Sequence, residues 1–282
     1  MSVHRMDGAT DDVRRPRPIS IHDLAAMKAR GERFVMVTAY DAGAAALLDE
    51  LGVPVVLVGD SLGMVVLGHP TTLPVTLDDM LHHTRAVVRG VRDALVVTDL
   101  PFGTYQDSPS QALASATRVL KEGGAAAIKL EGGAAVVRSV EHLVAAGIPV
   151  MGHLGLTPQS VHAFGGFRVQ GRGEGAAERL VEDARRLEAA GAFAIVLEGV
   201  PGSVGSAVTA ALRIPTIGIG AGPGTDAQVL VWHDLLGLTP GRRPRFVKPY
   251  ADLRREIASA VKAFRSEVAD GEFPAAEHTY DD

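Results

Sequence analysis

VVLVGDS (55–61) decides how this chain is read. Its four apolar residues run without a polar interruption, so the segment is expected to be a strand buried on both faces. The run then stops on a glycine, a carboxylate and a hydroxyl. The same design recurs in VMVTAYD (35–41), ALVVTD (94–99), AAIKLE (126–131), IPVMGH (148–153) and FAIVLE (193–198). A carboxylate beside a buried strand is costly unless it is solvated, paired or bound to metal. When several strands end this way, their carboxyl ends are expected to converge on one polar site. A (β/α)8 TIM barrel carries its chemistry at that face.

Outward from these runs, strand and helix alternate along the chain. Strands are expected at residues 34–39, 55–58, 94–98, 125–130, 148–152, 192–197 and 216–219, with an eighth near Phe246 to Lys248. Ser20, Thr76 and Ser108 stand where helix N-caps belong, and Pro109 suits a first helical turn. Leu253, Ile257, Val261, Phe264 and Val268 repeat at helical spacing in the last helix. Strands alternating with helices imply right-handed crossovers and a parallel sheet. Eight strands with polar ends on most of them favour closure, because an open sheet would gather those ends at one switch point. Residues 1–18 are polar and proline-interrupted and are expected to form a flexible N-terminal tail. Residues 19–282 are expected to form a single barrel domain.

Composition narrows the function. At 282 residues the chain is long enough for one large barrel or two modest domains, and no linker divides it. A formal net charge of −5 gives no electrostatic case for nucleic acid. The chain has no cysteine, which removes thiolate chemistry and Cys-ligated zinc and is compatible with the cytoplasm. No apolar stretch approaches the roughly 18 residues of a membrane span, and no apolar segment follows the N-terminal arginines as in a secretory signal.

Asp60 and Asp99 close consecutive strands and are expected to be neighbours. Two such carboxylates repel, which raises one pKa or calls for a cation. Oxygen donors without cysteine favour a hard ion such as Mg²⁺, with Glu131 joining directly or through water. Lys129 lies two residues before Glu131 and so points the same way, one layer deeper. There it can bind a substrate carboxylate, form a Schiff base, or make a structural ion pair. Glu198 follows an apolar run and is a candidate general base. His153 is a candidate to support these groups from behind. GIGAGPGTD (218–226) can bind an anion through backbone N–H groups or can simply be a tight turn.

The chain also resembles the ketopantoate hydroxymethyltransferase family over roughly residues 19–278. The matching stretches include LVGDSLGMVVLGHPTTLPVT (57–76), DLPFGTYQ (99–106), IKLEGG (128–133), GHLGLTPQSVHAFGGFRVQGRG (152–173), VLEGVP (196–201) and IPTIGIGAG (214–222). The resemblance implies a (β/α)8 barrel of the phosphoenolpyruvate/pyruvate superfamily type. It implies transfer of a one-carbon unit from 5,10-methylenetetrahydrofolate to the α-keto acid 3-methyl-2-oxobutanoate. The product would be 2-dehydropantoate, made in pantothenate biosynthesis through a Mg-stabilised enolate. By position, Asp60, Asp99 and Glu131 match metal-associated carboxylates, with one Mg²⁺ per subunit. Asp60, Ser61, Asp99 and Lys129 match substrate-binding residues, and Glu198 matches the proton acceptor. Family members are typically cytoplasmic homo-oligomers, often decamers. One departure is Gly199, where members often carry cysteine. Two other enzyme classes suit the same residues: a C–C lyase or phosphonate mutase of the superfamily, and a Schiff-base aldolase using Lys129. The lyases often depend on a loop cysteine, which this chain lacks. A barrel that only binds folate would need no carboxylate cluster.

Overall fold

A computed structural model describes residues 17–241 and 243–280. The expected N-terminal tail therefore falls almost wholly outside the described residues. Eight strands pair in parallel and in chain order: β1 (Phe34–Thr38), β2 (Val55–Val58), β3 (Leu95–Asp99), β4 (Ala127–Glu131), β5 (Val150–Gly155), β6 (Ala194–Glu198), β7 (Thr216–Ile219) and β8 (Ala227–Leu230). β8 pairs with β1 and closes the barrel.

The eighth strand corrects the sequence reading. It lies at Ala227–Leu230, and Phe246 to Lys248 falls in an irregular segment. The reading assumed a helix between every pair of strands. Here the glycine-rich turn leads straight from β7 into β8, and Ala227 and Val229 fill the interior at 2% and 5% exposure. Phe246 instead lies against Gly220, where a Cβ would meet its ring at 2.8 Å. That contact and a φ of 63° both require glycine at position 220. GIGAGPGTD thus serves as a close turn. Its Asp226 carboxylate accepts from the Thr216 backbone N–H at 2.8 Å and so ties the start of β8 to the start of β7.

The helices are α1 (Ile21–Ala29), α2 (Ala42–Glu50), the short α3 (Leu62–Val65), α4 (Leu77–Gly90), α5 (Pro109–Arg118), α6 (Val137–Ala145), α7 (Ala176–Ala189), α8 (Gly202–Ala211), the short α9 (Trp232–Leu235) and α10 (Leu253–Asp270). All three expected N-cap residues stand at helix starts, but the Ser20 side chain makes no cap bond to the backbone and donates its hydroxyl to Asp23 Oδ2 at 2.7 Å. Thr76 Oγ1 accepts from Asp79 N and Ser108 Oγ from Gln111 N. One apolar layer lies between the strands and the outer helices, with Val56, Val58, Leu81, Ile128, Leu143, Leu187 and Ile195 among its members. A second fills the barrel, from Met36, Leu57, Val97, Met151 and Val196 down to Leu24 and Met27 of α1. α1 therefore plugs the amino end of the barrel. Lys28 pins it there by donating to Asp226 at 2.9 Å and to the Ile214 carbonyl at 3.0 Å. Only the carboxyl end is left to build a site.

The outer layer is incomplete in one place. The wall of β1 and β8 is open at Val35, 47% exposed, and at Gln228. α10 buries none of its residues, and its apolar stripe of Ile257, Val261, Phe264 and Val268 is 49–59% exposed.

Candidate active site

Strand register assembles the site. Asp99 of β3 pairs with Lys129 of β4, Glu131 of β4 with His153 of β5, and Gly155 of β5 with Glu198 of β6. Neighbouring strands lie about 4.8 Å apart, so inward side chains in register meet directly. Lys129 Nζ stands 2.9 Å from Asp99 Oδ1 and 3.2 Å from His153 Nδ1. His153 Nδ1 is 3.4 Å from Glu131 Oε1, and its Nε2 is 3.4 Å from Glu198 Oε2. The result is a continuous polar wall across four strands. A side chain at position 155 would break it, because a Cβ there would run into the Glu198 carbonyl oxygen, and φ is 92°.

Asp60 joins the wall by a different route. Val55 and Leu57 face the barrel interior, so strict alternation would turn residue 60 outward. The chain leaves β2 at Val58 and turns, and Asp60 is brought inward to 4% exposure. Its backbone N–H donates to Asp99 Oδ2 at 3.1 Å, so the two aspartates are neighbours as their order in sequence predicts. Ser61 Oγ lies 2.9 Å from the Tyr40 hydroxyl.

The cluster is overdrawn in negative charge. Asp60, Asp99, Glu131 and Glu198 face Lys129 and His153, so four carboxylates meet at most two cations and two negative charges are left over. Burial raises the Asp60 pKa well above the ordinary carboxylate range, and the Asp99 and Glu131 charges add to it. Burial also raises Asp99, against the opposing pull of Lys129. Burial disfavours the Lys129 ammonium, but the surrounding carboxylates win and hold it charged. His153 behaves alike: burial and the Lys129 charge oppose protonation, yet Glu131 and Glu198 raise its pKa to about 9. Asp99 Oδ1 and His153 Nε2 are buried without a hydrogen-bond partner, and each faces an opposite charge instead.

Every site residue expected from sequence lies at this end of the barrel. His153 is more central than expected, since it connects Glu131 to Glu198. Glu198 meets an imidazole rather than a bare apolar wall. Lys129 makes the ion pair weighed above, with Asp99 as its partner. Among the described residues, no three His, Cys, Asp or Glu side chains are grouped closely enough to hold one metal ion as they stand. Sequence reasoning did not single out Tyr40, Tyr105, Gln106 or Gln159. Tyr105 and Gln159 are buried beneath the carboxylates, and the Tyr105 hydroxyl donates to Gln159 Oε1 at 2.7 Å. The one signal for Tyr105, Gln106 and Gln159 was their place in the motif-bearing stretches DLPFGTYQ and GHLGLTPQS, and for Tyr40 its place in VMVTAYD at the end of the first strand.

Known proteins resemble this chain in sequence and in fold. The sequence profile of the ketopantoate hydroxymethyltransferase family matches residues 18–276. A 3-methyl-2-oxobutanoate hydroxymethyltransferase from Frankia casuarinae is 61% identical, over 94% of this chain and 90% of its own length. One of the same name from Thermobifida fusca is 60% identical, over 94% of each chain. Among solved structures, a phosphonopyruvate hydrolase superposes with a TM-score of 0.61 at 14% identity, over 93% of this chain and 91% of its own. A 2,3-dimethylmalate lyase of the PEP mutase/isocitrate lyase superfamily does so with a TM-score of 0.59 at 17% identity, over 94% and 90%. The structural likenesses establish the fold. The sequence matches establish the family: this chain belongs to the ketopantoate hydroxymethyltransferases and is an enzyme of that kind.

The charge balance predicts a pH dependence. The folded-state pKa of His153, about 9, lies above its ordinary value of 6.5. Its contribution to stability is therefore fully present below 6.5 and is lost as pH rises through about 9. Asp60, also raised, acts in the same sense from 3.8 upward. Chelator-treated protein should unfold at progressively lower temperature between pH 6.5 and 9, and His153→Gln should flatten that slope. An equal slope in the variant would contradict the assignment.

Proposed function

We propose that this enzyme transfers a one-carbon unit from 5,10-methylenetetrahydrofolate to 3-methyl-2-oxobutanoate, giving 2-dehydropantoate. The observation that carries the reading is the polar wall of Asp60, Asp99, Lys129, Glu131, His153 and Glu198 at the one open end of the barrel. The names of its relatives supply the substrate.

The donor chemistry fits a hard divalent cation. Asp60, Asp99 and Glu131 are buried oxygen donors, and two uncompensated negative charges remain after Lys129 and His153 are counted. These three residues would hold Mg²⁺ directly or through water. When bound, the ion supplies Lewis-acid polarisation of the keto carbonyl.

The remaining roles follow from position. Lys129 keeps its charge and, with Ser61, binds the substrate carboxylate. Fixed orientation of this kind removes several kcal/mol from a barrier, on the order of 7–11 at best. Glu198 has the most open carboxylate of the wall, with its side chain 17% exposed against 4% for Asp99 and Glu131. It can reach a substrate entering from the mouth, and it takes the proton from C3. The His153 imidazolium faces Glu198 Oε2 across 3.4 Å and attracts the carboxylate toward the wall. The methylene carbon is held by two folate nitrogens: one C–N bond opens as its nitrogen takes a proton, and C3 bonds to the carbon freed on that side. Water then displaces the carbon from the second nitrogen, leaving the hydroxyl on carbon and the remaining proton on that nitrogen.

The enzyme is proposed to work in the cytoplasm as a homo-oligomer, a decamer by family resemblance. The lack of cysteine fits that compartment, and no helix of the described residues is long and apolar enough to cross a membrane. Assembly is supported by two uncovered apolar faces, the stripe on α10 and the barrel wall at Val35. A second copy laid against either would remove them from water. Phe264→Asp should therefore shift light-scattering mass in solution toward smaller species. Unchanged mass would remove α10 from the interface.

Proton abstraction can be tested without folate. In D2O the enzyme should exchange the C3 proton of 3-methyl-2-oxobutanoate, followed by NMR. Glu198→Gln should slow exchange by roughly 10²–10⁴-fold while keto-acid binding, measured by calorimetry, is retained. Wild-type exchange in that variant would exclude Glu198 as the base.

A further inference from the structure

The TPQS segment after β5 has no part in the chemistry described so far, yet its glutamine reaches two of the carboxylates. Gln159 is 6% exposed and sits in a short 3-10 turn, Pro158–Ser160. Its side-chain nitrogen donates to Asp60 Oδ2 and to the Leu100 carbonyl, both at 2.9 Å. Its side-chain oxygen accepts from the Tyr105 hydroxyl at 2.7 Å and from Gln106 Nε2 at 3.0 Å. Its backbone N–H donates to Glu131 Oε2 at 3.0 Å.

These partners admit one amide orientation. Gln106 turns its NH2 toward Gln159 because its own oxygen accepts from Gly103 N at 2.8 Å. A flipped Gln159 would set NH2 against NH2 there, and would set its oxygen against the Asp60 carboxylate and the Leu100 carbonyl. The amide's two donors and two acceptor sites are therefore all used, and Asp60 receives a proton donor.

We propose that Gln159 is a positioning residue that aims Asp60 and Glu131 together at a divalent cation. This rests on the reading that those carboxylates hold one. The contact ties one oxygen of each carboxylate, Asp60 Oδ2 through the side chain and Glu131 Oε2 through the backbone. The contact leaves the other two oxygens untouched: Asp60 Oδ1 is outside the Gln159 bonds, and Glu131 Oε1 faces the His153 imidazole at 3.4 Å. Asp60 comes from a turn after β2 and Glu131 from β4, so no strand register aligns the two. A single residue from the β5 loop spans that gap. Outer partners of metal-binding carboxylates act in this way, and their loss weakens metal binding.

Mn²⁺ serves as the probe, with affinity from calorimetry and the bound ion's environment from its EPR spectrum. The full-length protein is compared with Gln159→Met, which keeps the chain length and removes both side-chain donors. Gln106→Leu, at an exposed position, removes one group that orients the amide with little risk to folding. The proposal expects one Mn²⁺ per wild-type chain. It expects roughly ten- to a hundredfold weaker binding and an altered spectrum in Gln159→Met. Gln106→Leu should show a smaller loss in the same direction, with an unchanged unfolding temperature in chelator. Wild-type affinity and spectrum in Gln159→Met overturn the proposal and leave the metal reading standing. If Gln159→Met does not fold, wild-type affinity in Gln106→Leu overturns it in the same way. Absence of Mn²⁺ binding in the wild-type protein overturns both together.

Discussion

Uncompensated negative charge, buried at the one open end of the barrel, is the constraint on which the rest of this structure turns. Asp60, Asp99, Glu131 and Glu198 share that end with Lys129 and His153. Closed packing elsewhere supports them: α1 seals the opposite end, and apolar layers inside and outside the strands exclude water from their flanks. In such surroundings a carboxylate without a partner is expensive. Asp99, Glu131 and Glu198 accordingly have specific neighbours supplied by strand register, and Asp60 has one supplied by the loop after β5. Lys129 meets Asp99, and His153 meets both Glu131 and Glu198. The remaining imbalance of two charges matches the one divalent cation proposed, and burial, with the Asp99 and Glu131 charges added, makes Asp60 resist ionisation.

Legibility in the sequence followed geometry. Asp99, Lys129, Glu131, His153 and Glu198 lie on strands, where period-two alternation and parallel pairing carry a residue's position straight into space. Asp60 was correctly expected beside Asp99, although its inward direction depends on the turn after Val58, which alternation alone would have got wrong. Gln159, Tyr105 and Gln106 reach the site from loops, whose paths no periodicity encodes. The eighth strand was misplaced because four residues, AQVL, follow a glycine turn with no helix before them. A short run of that kind gives little apolar signal, whereas the rule of alternation pointed further along the chain. α10 was legible as an amphipathic helix, but sequence spacing could not say that its apolar stripe would stay about half exposed among the described residues, with Phe264 meeting only the edge-to-face ring of Phe273 at 5.4 Å as its aromatic neighbour.

The division of labour between strands and loops has a mechanistic sense. Strands hold the groups that must not move, namely the ion-paired lysine and the carboxylates below the mouth. Glu198 stands at the last position of β6, just before a left-handed Gly199 at φ 55°. It is rigid at its backbone and open at its carboxylate. That combination suits a base that must reach a substrate proton without a large rearrangement. Glycine at 199 meets the backbone's demand for a positive φ directly.

Product formation tests the central claim most directly. Pure enzyme, 3-methyl-2-oxobutanoate and 5,10-methylenetetrahydrofolate would be incubated with Mg²⁺ or with excess chelator, and the products resolved by mass spectrometry. The account predicts 2-dehydropantoate with Mg²⁺ and its loss on chelation. Undiminished product in chelator would contradict the role assigned to the buried carboxylates, and no product from folded, Mg²⁺-supplied enzyme would contradict the proposed reaction itself.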